Sequence, residues 1–171
     1  MVLDLSVVDP DGELLPPLEA YKVIDVNMKG NLNSEYTEQF CHGAILMSSL
    51  AGLKLALHHM QGRGGSVVLA ASTSGYIGGT GVSAYIASKH GVVGLLQASK
   101  GTAQKYGVRL NGMAPFFVPT AFTTAYSNLW KDTGLEANTP GDVAAVIAQT
   151  TLNSTKNGTC ILAASLHGKG A

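Results

Sequence analysis

Apolar positions along the chain alternate between two patterns. Ile45, Leu46, Leu50, Leu53, Leu57 and Met60 recur at helical spacing, as do Val92, Val93, Leu95, Leu96 and Ala103 within residues 84–106. Each set predicts a helix with one buried face. Between them, residues 67–71 form a short continuous apolar run, the pattern of a strand buried on both faces of a parallel sheet. Residues 108–113 and 159–164 predict two further strands, and residues 140–151 a helix with Pro140 and Asp142 near its start. Gly107 is placed to end the long helix. Upstream, residues 9–17 are turn-rich, and residues 18–27 open a helix with Leu18, Tyr21 and Ile24 along one face. Residues 30–43 are polar and break that pattern, and leaving out 31–43 restores it, which predicts an insertion there.

Strands alternating with helices predict an α/β layered domain with parallel strands. Composition agrees with one domain over residues 1–171: 46% of residues are hydrophobic, 13% charged, and the formal net charge is zero. A chain of this length buries roughly 70% of its unfolded surface. Nothing basic enough to hold nucleic acid or an anionic membrane stands out, and no apolar run is long enough to span a bilayer. Residues 1–10 carry two aspartates and no basic stretch, so no signal peptide is expected. Cys41 and Cys160 have no metal-ligand spacing and make no disulfide framework. They read as reduced thiols of a cytoplasmic protein, with no metal site.

Candidate chemistry gathers at one strand end. Tyr85 and Lys89 lie four apart on the long helix and so share a face. Alone, such a pair reads as a surface tyrosine and a solvated lysine. Ser72 changes the picture, because it stands 13 residues before Tyr85, at the C-terminal end of the predicted strand 67–71. Ligands of open parallel sheets bind beyond those ends. Hydroxyl, phenol and ammonium can therefore converge, with Asn27 as a fourth group in Asp25-Val26-Asn27.

Asp25-Val26-Asn27 followed by Gly30, Ser72 spaced 13 from Tyr85, Tyr85-x-x-x-Lys89, and Arg109-Leu110-Asn111 leading to Pro115 occur in that order. In this combination the chain resembles the classical short-chain dehydrogenase/reductase family, from about Leu14 to about Ala164. The resemblance implies a Rossmann-like three-layer α/β/α domain with a mostly parallel sheet. It also implies an NAD(P)-dependent oxidoreductase acting on a small alcohol or carbonyl compound, with NAD or NADP as cofactor. The catalytic residues it implies are Asn27, Ser72, Tyr85 and Lys89. Tyr85 would be the general acid/base, since an ammonium beside a phenol favours the phenolate. Lys89 would tune it and hold the nicotinamide ribose, Ser72 would bond the substrate oxygen, and Asn27 would hold a water in a relay to Lys89. The implied cofactor contacts are Asn27, Tyr85, Lys89, Pro115, Val118 and Thr120, and the implied partner is a second copy of the chain, a homo-oligomer through the Asn27 and Tyr85 helices.

Three departures qualify the resemblance, one of them the segment 31–43 between Asn27 and Ser72. The family's N-terminal strands and its glycine-rich dinucleotide loop have no counterpart, so the expectation is a truncated, partial Rossmann domain; an inactive remnant serving only as an oligomerisation partner is the alternative. The strand 67–71 would then stand at a sheet edge, with residues 2–8 as a substitute neighbour. Gly79-Thr80-Gly81-Val82-Ser83-Ala84 fits G-x-G-x-x-A, but no acidic residue ends the following strand, so this segment reads as the loop between Ser72 and Tyr85. Finally, Phe116 stands where the family's turn has glycine, so the turn is expected to differ; Phe116, Phe117 and Phe122 are candidate pocket-lining residues.

Overall fold

A computed structural model describes residues 37–78, 82–120, 123 and 137–164. Its elements run α1 (Thr37–Met60), β1 (Gly65–Ala70), a 3-10 turn (Thr73–Gly75), α2 (Ser83–Lys105), β2 (Val108–Pro115), α3 (Pro140–Leu152) and β3 (Cys160–Ala163). The predicted helix over 45–60 begins earlier, at Thr37. The polar stretch hides this because helix formation needs no apolar periodicity: residues 37–43 contain no proline. They are the second part of the predicted insertion; residues 31–36, Asn27 with its predicted helix, and the candidate strand 2–8 lie outside the described residues.

The three strands form one parallel sheet in the order β1-β2-β3, with Leu69 opposite Gly112 and Met113 opposite Ile161. Helices α1 and α2 pack against each other, while α3 contacts all three strands and makes no comparable contact with α1 or α2. That places α3 on the opposite face and makes three α/β/α layers. The core lies between the sheet and the α1–α2 pair. It is built from Leu50, Leu53 and Leu57 of α1, Val92, Val93, Leu95, Leu96 and Ala103 of α2, and Leu69, Val108, Leu110 and Ala114 of the strands. These helical positions are those the spacing singles out. Fully burying one such side chain stabilises by about 1.5–3 kcal/mol.

Local signals set the ends. Gly107 has φ 73°, the left-handed conformation that lets the chain leave α2 and enter β2 at once. Thr139 caps α3: its Oγ1 accepts the Asp142 N–H at 3.1 Å, and the Asp142 carboxylate accepts the Thr139 N–H at 2.8 Å.

Among the described residues β1 ends the sheet; its candidate neighbour, residues 2–8, lies outside them. Ala71 donates its N–H to the Met113 carbonyl at 2.8 Å. By alternation, Leu69 and Ala71 turn their backbone groups toward β2, and Ser66, Val68 and Ala70 turn theirs away from it.

Candidate active site

Ser72 follows β1 closely and is 7% exposed. Its Oγ accepts the Ser74 N–H at 3.1 Å, so it caps the 3-10 turn that redirects the chain toward α2. That turn lies directly against α2. A Cβ on Gly75 would stand 2.8 Å from the Lys89 carbonyl and 2.9 Å from Val93 Cγ2, closer than any side chain tolerates. Glycine is therefore required for the segment carrying Ser72 to reach the turn of helix carrying Lys89.

Tyr85 sits in the first turn of α2, half-buried, and its carbonyl accepts Ser88 Oγ at 2.7 Å. Lys89, one turn on, is 9% exposed. Its Nζ stands 5.7 Å from the Tyr85 ring centroid and donates to the Ala70 carbonyl at 2.8 Å. That carbonyl is on the side of β1 that faces away from β2. Burial pushes the Lys89 ammonium below its usual range, because removing water disfavours the charged form. An ammonium carries three donors; the Ala70 carbonyl takes one, and the others can serve neighbouring hydroxyls.

The structure thus brings Ser72, Tyr85 and Lys89 to the C-terminal end of β1. Asn27 lies outside the described residues. Residues 115–120 leave the same end of β2. Thr73 Oγ1 donates to the Pro115 carbonyl at 3.4 Å, the Phe116 N–H donates to the Ala163 carbonyl at 2.8 Å, and Thr123 Oγ1 donates to the Val118 carbonyl at 2.7 Å. Thr120 donates its N–H to Thr123 Oγ1 at 2.8 Å. Phe116 occupies the family's glycine position, yet no described residue other than glycine has a positive φ, so the chain passes this point in an ordinary conformation. Phe116 and Phe117 are half-buried, and Phe122 lies outside the described residues.

Several side-chain roles escape sequence reasoning. Arg109 is structural. Its guanidinium donates to the carbonyls of Thr151 at 2.6 Å, Asn153 at 2.7 Å and Lys156 at 3.2 Å, closing the C-terminus of α3. Asn111 is buried and binds the Lys156 carbonyl through Nδ2 and the Thr159 N–H through Oδ1. The Tyr76 phenol neighbours the Cys160 thiol; local desolvation, then this neighbour, hold Tyr76 up to about 12, and burial raises the thiol. Only the positions of their partners, distant in sequence, reveal these roles. Among the described residues no group of His, Cys, Asp and Glu is arranged to hold a metal ion, and no helix is long and apolar enough to cross a membrane. A groove of about 480 Å³ between α2 and the loop before β3, lined by Lys100, Gln104 and Asn157, shares no residue with this site.

A three-layer parallel sheet with Ser, Tyr and Lys at its strand ends defines a dehydrogenase-type Rossmann domain. The short chain dehydrogenase family model matches residues 41–130, and the chain belongs to that family of oxidoreductases. It is 34% identical over 123 residues to short-chain dehydrogenase reductase 5 of Arabidopsis thaliana, covering 70% of this chain and 40% of that one. It is 32% identical over 133 residues to estradiol 17-beta-dehydrogenase 8 of Callithrix jacchus, covering 74% of this chain and 87% of that one. A short chain dehydrogenase from Mycobacterium smegmatis superposes with TM-score 0.61 and 26% identity, over 80% of this chain and 54% of that one. A gluconate 5-dehydrogenase from Burkholderia cenocepacia, solved with NADP and tartrate, shares the fold with TM-score 0.68 at 16% identity, over 76% of this chain and 56% of that one. The chain spans about 40% of the plant relative's length and about half of the two solved chains.

Proposed function

We propose that this chain takes part in NAD(P)-dependent oxidation or reduction of a small alcohol or carbonyl compound, with Tyr85 as general acid/base. The observation that carries the reading is the meeting of the Ser72 turn with the Tyr85–Lys89 turn of α2 at Gly75. The residues fit the nicotinamide-ribose end of such a cofactor, because the Lys89 ammonium, with one donor on Ala70, has donors left for ribose hydroxyls. When bound, the cofactor supplies or accepts hydride. Tyr85 passes a proton to or from the substrate oxygen. Ser72 donates a hydrogen bond to that oxygen and stabilises the charge developing on it. Lys89 keeps a positive charge beside Tyr85 and orients the ribose. Asn27 holds a water that feeds protons to Lys89. Pro115, Val118 and Thr120 bound the nicotinamide pocket.

Calorimetric titration of the purified chain with NADH and NADPH tests this. Micromolar binding that Lys89→Ala abolishes supports the reading, and no binding by a folded sample sinks it. A second reading, a non-catalytic partner that assembles with another chain, is favoured by the strand edge that β1 presents among the described residues. Exposed edges invite pairing with another chain. Sedimentation of a chain that binds no nucleotide, with a mass above one protomer, is the result that reading expects.

A further inference from the structure

The ends of β2 and β3 are joined by a side chain that the chemistry above does not use. Asn138 is 1% exposed and immediately precedes the Thr139 cap of α3. Its backbone N–H donates to the Phe117 carbonyl at 2.9 Å. Its Nδ2 donates to the Ala163 carbonyl at 2.9 Å, and the same carbonyl accepts the Phe116 N–H at 2.8 Å. One residue therefore holds two consecutive positions of the stretch after β2, one directly and one through a shared acceptor on β3. Its other amide atom, Oδ1, is buried without a hydrogen-bond partner among the described residues. Burying a polar atom unpaired is unfavourable. An apolar side chain of the same shape would avoid that cost and fill the same space, so what asparagine uniquely supplies here is the donor to Ala163.

We infer that Asn138 is a positioning residue for the cofactor stretch at residues 115–120, fixing where Phe116 and Phe117 leave the sheet. The inference rests on the functional reading above and adds a residue that touches none of the four reacting groups. The tie continues through Thr73 Oγ1 on the Pro115 carbonyl to the turn that starts at Ser72. Slack after Phe116 would displace the nicotinamide contacts while Tyr85 and Lys89, on α2, stay where they are.

The test uses Asn138→Leu in the full chain, with three readouts: urea unfolding, amide exchange at Phe116, and calorimetric titration with NADH and NADPH. The expected result is a near-unchanged unfolding midpoint, faster exchange of the Phe116 N–H, and nucleotide affinity weakened about tenfold. A role confined to stability would lower the midpoint and leave the affinity of the folded protein unchanged, which overturns the inference, as does unchanged exchange at Phe116. If the wild type binds nucleotide and Asn138→Leu binds it equally, the inference alone falls. If the wild type binds neither nucleotide, the functional reading falls and the inference with it. Should Asn138→Leu not fold, Asn138→Ala, which adds no atoms to the site, answers the same questions.

Discussion

Gly75→Ala is the smallest change that should separate the two halves of the site. The added Cβ would stand 2.8 Å from the Lys89 carbonyl oxygen, whereas ordinary contact begins at 3.4 Å. The carbonyl cannot yield, because it belongs to the backbone of α2. Val93 Cγ2, at 2.9 Å, is part of the packed core and has little room to retreat. The 3-10 turn must therefore move off the helix, carrying Ser72 with it. Overpacking of this kind costs about 1–3 kcal/mol. Gly94→Ala is the matched control: it lies within α2, and its Cβ would meet nothing within 4 Å. There alanine should stabilise by about 0.5–1 kcal/mol through helix propensity alone. Urea denaturation of both variants reads the two signs. A Gly75→Ala variant within about 0.5 kcal/mol of wild type would refute the close approach, and with it the claim that glycine positions Ser72 against α2.

Burial lowers the Lys89 pKa in the folded chain below its unfolded value of 10.5. Between those two values the unfolded state binds more protons, so Lys89 makes stability rise with pH across that window. Lys89→Met should abolish that rise; parallel stability–pH curves for the two proteins would contradict it. Arg109→Ala leaves the carbonyls of Thr151, Asn153 and Lys156 without their shared donor and should cost about 2 kcal/mol in thermal or chemical unfolding. Arg109→Lys should recover only part of that, since one ammonium cannot reproduce the fork. Thr139→Ala removes the capping box of α3 and should cost about 1 kcal/mol, seen as a lower unfolding midpoint with the site intact.

Helical periodicity is enough to name the core of α1 and α2, because each buried position there repeats a local pattern that a single face must satisfy. Residue spacing is enough to place Ser72, Tyr85 and Lys89 together, because a strand end and a helix start joined by a short loop leave few geometries. The start of α1 is not legible: the apolar repeat begins only at Ile45, and nothing at Thr37 announces a helix. The roles of Arg109, Asn111 and Asn138 are hidden for a different reason. Their partners are backbone carbonyls and N–H groups, which nearly every residue possesses, so no residue type in the sequence marks the acceptor.

Lys89 joins these two levels. A lysine buried to this degree ordinarily pairs with a carboxylate or loses its proton. Here its described partners are a tyrosine ring and the Ala70 carbonyl, a group on the side of β1 that faces away from β2. The sheet edge thus supplies the acceptor that keeps an ammonium tolerable beside Tyr85. Conversely, the ammonium gives the Ala70 carbonyl a partner on α2. The positive charge beside Tyr85 is therefore tied through Lys89 to the backbone of β1.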